Sequence, residues 1–189
     1  MTDTALPAAD AKLSTLRGKI GWICRALQFL LVGYPLWILW IIIEYWGDRA
    51  FVEAHYQKFF KLDISGASYG QFAAAVALHL FVWVLLAVMC FCLWRVLGLY
   101  LEGRIFTIEA ALWLRRAGIL GLATTIADFA TRSLIVLVLT AHLPSMADKH
   151  HSFLTSDDPL HLILALIVIA FAHIQKTAAE IAGENAQFV

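Results

Sequence analysis

The chain has 189 residues, of which 61% are apolar and 15% charged, with 14 Lys and Arg against 14 Asp and Glu. Soluble domains carry roughly 25% charged residues. Here the charges also cluster outside long apolar runs, which excludes an ordinary soluble domain and reads as an integral membrane protein. A formal net charge of zero gives no basic bias toward nucleic acid, and no direct nucleic-acid binding is expected.

Residues 1–19 are polar and hold Lys12, Arg17 and Lys19. The apolar run over 20–46 is too long for a signal-peptide core and ends in EYWGDR, so it predicts a retained first span. Pro35 lies inside it, where a missing amide can kink a helix. Trp22 and Trp46 sit near its two ends, as an aromatic belt would place them. In the loop that follows, Phe51, Val52, His55, Tyr56, Phe59 and Phe60 fall at helical spacing against Glu53, Gln57, Lys58 and Lys61. That pattern predicts a short amphipathic helix in the membrane interface, and SGASYG predicts a turn before the next span.

A second span is expected over 72–100, with His79 near its start and Arg95 near enough to its exit to snorkel. The third covers 117–142 and the fourth 159–176, opening on Pro159 behind acidic residues that suit a helix start. The helix should continue to about Ile181, with Gly183 as its stop and 182–189 as a tail. No repeat or soluble module interrupts 20–181, so the expected fold class is all-α: one four-helix transmembrane bundle with short interfacial helices. Cys24, Cys90 and Cys92 all lie in apolar runs and read as small apolar residues rather than disulfide or metal-site cysteines.

Lysine and arginine counts set the orientation. With the N-terminus inside, the cytoplasmic side carries Lys12, Arg17, Lys19, Arg25, Arg95, Arg104, Arg115, Arg116 and Lys176. The outer side carries Arg49, Lys58, Lys61 and Lys149, and Arg132 stays in the membrane. Both termini are therefore expected in the cytoplasm, and residues 101–118 form a cytoplasmic connector. In it, Gly103 allows a sharp exit from the second span, Thr107 can cap the next helix, and Glu109 suits its dipole. An amphipathic turn bending into the third span satisfies the pattern.

This connector, GRIFTIEAALWLRRAG, resembles the G-x-x-F-T-x-x-N-x-x-x-L-R-x-x-G signature of DUF2975, four-span bacterial membrane proteins of unknown function. Gly103, Phe106, Thr107, Leu114, Arg115 and Gly118 match. Ala110 stands where many members have asparagine. The ending GENAQFV, with Glu184 and Asn185, is similar to the family's acidic-Asn ending. The resemblance covers about residues 80–189 and implies a bacterial inner (cytoplasmic) membrane. Some members are encoded beside a small helix-turn-helix regulator, which implies a regulatory role with a cytoplasmic regulatory protein as partner.

Asp128 and Arg132 are four apart, share one helix face and fall near the middle of the expected third span. Unpaired charges there cost at least ~2.5–3.5 kcal/mol each, so the two should pair toward the bundle interior, near Thr124, Thr125, Thr131 and Ser133. They read as a structural ion pair or as a relay. Six histidines (His55, His79, His142, His150, His151 and His161) lie toward the outer side, with Asp148, Asp157 and Asp158 near some of them, and His173 lies nearer the inside. A metal site in the outer loop, or a haem between His79 and His142 or His161, is the alternative use of these side chains. No pair has HxxxH spacing, and no metal or cofactor is expected. No GxSxG, P-loop, HExxH or GxGxxG occurs, so no catalytic residue is assigned and an enzyme is not expected. The leading expectation is a non-enzymatic membrane protein acting through partners in regulation or sensing, with the lipid bilayer around it and a homo-oligomer allowed. The alternative is a small transporter or a metal or redox protein built on Asp128, Arg132 and the outer histidines.

Overall fold

The structure, a computed structural model, describes residues 5–143 and 157–185, and the side chains of 21–143 and 158–184. The segment with Asp148, Lys149, His150 and His151, the tail 186–189, and the side chains of Lys12, Arg17, Lys19, Asp157 and Asn185 lie outside the described residues. The described residues are helical without strands: α1 (Ala5–Gly47), α2 (Arg49–Phe60), α3 (Tyr69–Leu101), α4 (Ile108–Thr140) and α5 (Asp157–Asn185). Four of them are long and apolar enough to cross a membrane, over Gly21–Gly47, Tyr69–Leu101, Ile108–Thr140 and Asp158–Glu184.

Within their most apolar windows only 11% of residues are buried in the first two spans and 22% in the last two. Phe29, Trp22, Trp37 and Trp40 are among the large side chains left exposed. A soluble bundle would face solvent with polar residues. These helices present an apolar exterior that hydrocarbon must cover, so the chain is a multi-pass membrane protein.

The helices outrun the apolar runs. α1 starts at Ala5 and passes unbroken through Pro35, because polar residues end a membrane run without ending a helix. α4 is one continuous helix from Ile108. α5 passes through Gly183 to Asn185; a helical glycine costs only about 1 kcal/mol, and nothing crowds this one.

The chain forms two compact units, each drawing on α1, α3, α4 and α5. One comprises Pro35–Val88 and Leu120–Ala165. Its core is Val52, Tyr56, Leu62, Ile64, Ala67, Phe72, Ala75, Ile135, Val136 and Leu139, with Tyr45, Trp46 and Leu78 packed against it. α2 starts at Asp48, whose carboxylate accepts from the amides of Ala50 (3.0 Å) and Phe51 (3.2 Å). It ends at Lys61 in the left-handed region, φ 54°. Its apolar residues divide between two sides: Val52 and Tyr56 enter the core, while Phe51 and Phe59 stay exposed. Burial pushes the Tyr56 phenol above its ordinary pKa.

The loop after α2 is tightly tied. Asp63 accepts from the Ser65 amide (3.0 Å) and hydroxyl (2.7 Å), which hold its carboxyl below its ordinary pKa. Ser68 and Gln71 form a reciprocal capping box at the start of α3 (2.6 and 3.3 Å). Gln71 Nε2 also donates to the Val138 carbonyl of α4 (2.8 Å). Arg49 pairs with Glu53 (2.8 Å), donates to the carbonyl of Ala67 (2.7 Å) and lies over the Phe72 ring (4.5 Å). Trp83 Nε1 donates to the Pro35 carbonyl (2.8 Å), joining α3 to α1.

The other unit comprises Met1–Tyr34, Met89–Ile119 and Leu166–Val189. Small side chains supply much of its interior: Cys24, Cys90, Cys92, Ala110, Ala111, Ala117, Ala172 and Ala179 are buried beside Val96 and Leu99. Along α5 the buried positions Asp158, Ala165, Ala172 and Ala179 recur every seventh residue. That stripe of mostly small residues lets a neighbouring backbone come close.

Candidate functional site

The connector between α3 and α4 is a built turn. Gly103 takes φ 81°, a backbone that a side chain would strain. Its amide bonds to the Tyr100 carbonyl (3.0 Å) and the Arg104 amide to the Leu99 carbonyl (2.9 Å), the paired bonds of a Schellman ending. Three residues on, Thr107 Oγ1 accepts from the Ala110 amide (3.2 Å) and donates to the Arg104 carbonyl (3.1 Å), capping α4. Gln175 of α5 fastens the turn from the side. Its Nε2 donates to the Ile105 carbonyl (2.6 Å) and its Oε1 accepts from Tyr100 (3.3 Å). Ala110 is fully buried at this helix start, a place that suits an apolar side chain.

The other matched residues have different surroundings. Gly118 is buried, eleven residues into α4, and meets α5. A Cβ there would stand 2.6 Å from Ile169 Cγ1 and 3.1 Å from the Ile169 backbone nitrogen. Leu114 is half-buried and Arg115 exposed. Phe106 is 65% exposed although its connector is held on both sides. Arg104 pairs with Glu109 (2.5 Å) and Glu102 (3.6 Å), and Arg95 reaches Glu109 at 3.8 Å.

In the unit built around α2, Arg132 pairs with Asp128 on its own helix. It also reaches Asp158 at the start of α5 (3.3 Å). Asp158 is buried, and Asp128 and Arg132 are about one-third exposed. Asp128 lies twenty residues from the start of α4, about 30 Å along a helix about 50 Å long. The pair therefore sits toward the end of α4 that faces the start of α5. The carboxylate of Asp158, placed in the first turn of α5, also complements the dipole there. His79 is within electrostatic reach of both Asp128 and Arg132, packs against Trp46 at 5.7 Å between ring centroids, and keeps a buried Nδ1 without a hydrogen-bond partner. Thr124 and Thr125 turn their hydroxyls back to the carbonyls of Leu120 and Gly121 on their own helix.

The histidines are dispersed. His55 lies among the rings of Tyr45, Phe51, Phe59 and Phe60. His142 packs against Gly66, where a Cβ would approach its ring to 2.8 Å. His161 and His173 are exposed on α5. Among the described residues no three His, Cys, Asp or Glu side chains are placed to hold a metal ion. The roles of Asp158 and Gln175 were missed in the sequence, because each partner lies 26 or more residues away with no local pattern to join them.

Comparison with known proteins adds one finding. The family model described as "Protein of unknown function (DUF2975)" matches residues 21–189, so the chain belongs to that family. No curated protein and no solved structure matches it.

Proposed function

We propose that this DUF2975 protein is a non-enzymatic protein of the bacterial inner membrane, with both termini in the cytoplasm, that acts by binding a cytoplasmic regulatory protein through the α3–α4 connector. The Lys and Arg count supports this orientation, with α2 at the outer interface. The observation that carries the reading is Phe106. The chain fixes the connector with a Schellman ending, a capping threonine and the Gln175 amide, yet leaves this large ring exposed beside Arg104. An exposed aromatic side chain on a fixed backbone, with Arg104 and Glu109 close by in sequence, is the composition of a binding anchor. Arg115, Glu180 and Glu184 are exposed on α4 and α5 in the same unit, and Glu180 pairs with Lys176 (3.4 Å). The alternative, a small transporter, would draw on Asp128 and Arg132. Arg132 pairs with Asp158 of α5 as well as with Asp128 of its own helix, which ties two helices together, and this favours a structural role.

Site-specific crosslinking in cells tests the reading. A photoreactive side chain at position 106 is expected to capture one cytoplasmic protein, while one at Gln57 in α2 captures none. Phe106→Asp should abolish function without lowering the amount of protein in the membrane. Failure to capture a partner at position 106, together with unchanged function in Phe106→Asp, would sink the proposal.

A further inference from the structure

Glu109, Trp113 and Arg116 occupy one face of α4 at four- and three-residue spacing, and Arg95 of α3 closes on the same face. The Arg116 guanidinium lies 4.7 Å and that of Arg95 5.7 Å from the centre of the Trp113 ring, which is cation–π range. Trp113 meets Phe91 edge-on at 6.1 Å, and Phe91 stacks with Trp94 at 6.3 Å. An unbroken aromatic wall thus leads away from two arginines. Phe91 is 52% exposed. Arg95 and Arg104 share Glu109, whereas Arg116 has no ion pair among the described residues. On this face three arginines (Arg95, Arg104 and Arg116) stand against Glu102 and Glu109, leaving a local surplus of one positive charge.

Depth decides what these groups meet. α3 and α4 each have 33 residues, about 50 Å against a hydrocarbon core of about 30 Å, so about 10 Å of each helix projects at either end. Arg95 lies six residues from the end of α3 and Arg116 eight from the start of α4, about 9 and 12 Å. Both stand where headgroup phosphates begin. Phe91 is ten residues from the end of α3, about 15 Å, and so lies some 5 Å inside the hydrocarbon.

We propose that Arg95, Trp113 and Arg116 form a specific site for an anionic phospholipid, with the arginines on its phosphate and an acyl chain along Phe91 and Trp94. Guanidinium groups suit phosphate oxygens through paired donors. The surplus charge selects an anionic over a zwitterionic headgroup, and the apolar wall selects a lipid over a free phosphate. The site does not depend on the partner-binding reading above.

Native mass spectrometry of the delipidated full-length protein in detergent tests it, with phosphatidylglycerol, phosphatidylcholine and inorganic phosphate as probes. Phosphatidylglycerol should bind at least about fivefold more tightly than phosphatidylcholine, and inorganic phosphate at 100-fold excess should not displace it. Arg116→Gln should weaken binding about fivefold and Arg95→Gln with Arg116→Gln about 25-fold. Arg115→Gln, which removes the same charge from another face, should change it less than twofold. Equal binding of the two lipids, displacement by phosphate, or equal losses in Arg115→Gln and Arg116→Gln would each overturn the site. The wild-type comparisons stand even if the double variant fails to fold.

Discussion

Arg132→Met is expected to destabilise the protein by about 3 kcal/mol, read as a fall of about 6–12 °C in the thermal midpoint of the purified protein. The substitution removes a cation that pairs with Asp128 and with the buried Asp158. Removing one partner from a buried pair leaves a carboxylate in surroundings that solvate it poorly, and this costs about 3–5 kcal/mol. The lower end applies because Arg132 is one-third exposed. A triple variant, Arg132→Met with Asp128→Asn and Asp158→Asn, should recover most of the loss, since replacing a whole buried ion cluster by neutral groups is often close to neutral. Recovery of both stability and function would mark the cluster as a fastening between α4 and α5. Recovery of stability with function still lost would give its charges a further role and revive the transporter reading.

Gly118→Leu is expected to cost at least about 3 kcal/mol, the upper end of the range for overpacking. The first added carbon would stand 2.6 Å from Ile169 Cγ1 and 3.1 Å from the Ile169 backbone nitrogen. A side chain can rotate away from such a contact, but a helix backbone cannot. Gly118→Ala already sets its Cβ against the Ile169 backbone and should cost about 1–3 kcal/mol, and leucine, which must push α4 and α5 further apart, should cost more. Close approach at small residues is the principal attraction available to helices in lipid, where apolar burial between them contributes little. Gly33 of α1 has open space around it, so Gly33→Ala should leave stability unchanged or raise it by up to about 1 kcal/mol. A leucine at position 118 with wild-type stability would mean that α4 and α5 do not pack at this glycine.

The parts of this fold legible in the sequence were those written over short distances. Apolar runs of membrane length predicted four spans, and the spacing of Val52 and Tyr56 predicted α2. Thr107 followed by Glu109 predicted the start of α4 nine residues before the apolar run resumes. Helix length was less legible, because hydropathy reports where a chain meets lipid rather than where its hydrogen bonds stop. α1 thus begins at Ala5, well before its apolar segment. Pairings across the chain were illegible for a different reason. Asp158 follows a polar loop and its charge is accounted for by helix capping, so nothing local marks it as the second partner of Arg132. Gly118 carried a family match and read as part of a turn at the membrane surface. Only the position of Ile169, 51 residues on, shows that its missing side chain makes room for another helix.

Sidedness of the connector is the point on which the functional account rests, and the three cysteines are buried, which allows it to be measured directly. Phe106→Cys and, separately, Gln57→Cys would be treated with a membrane-impermeant thiol reagent in spheroplasts, before and after permeabilisation. The account predicts that the cysteine at position 57 is labelled in intact spheroplasts and the one at position 106 only after permeabilisation. Labelling of position 106 from outside, with position 57 protected, would place the connector on the wrong face for a cytoplasmic partner and contradict the account.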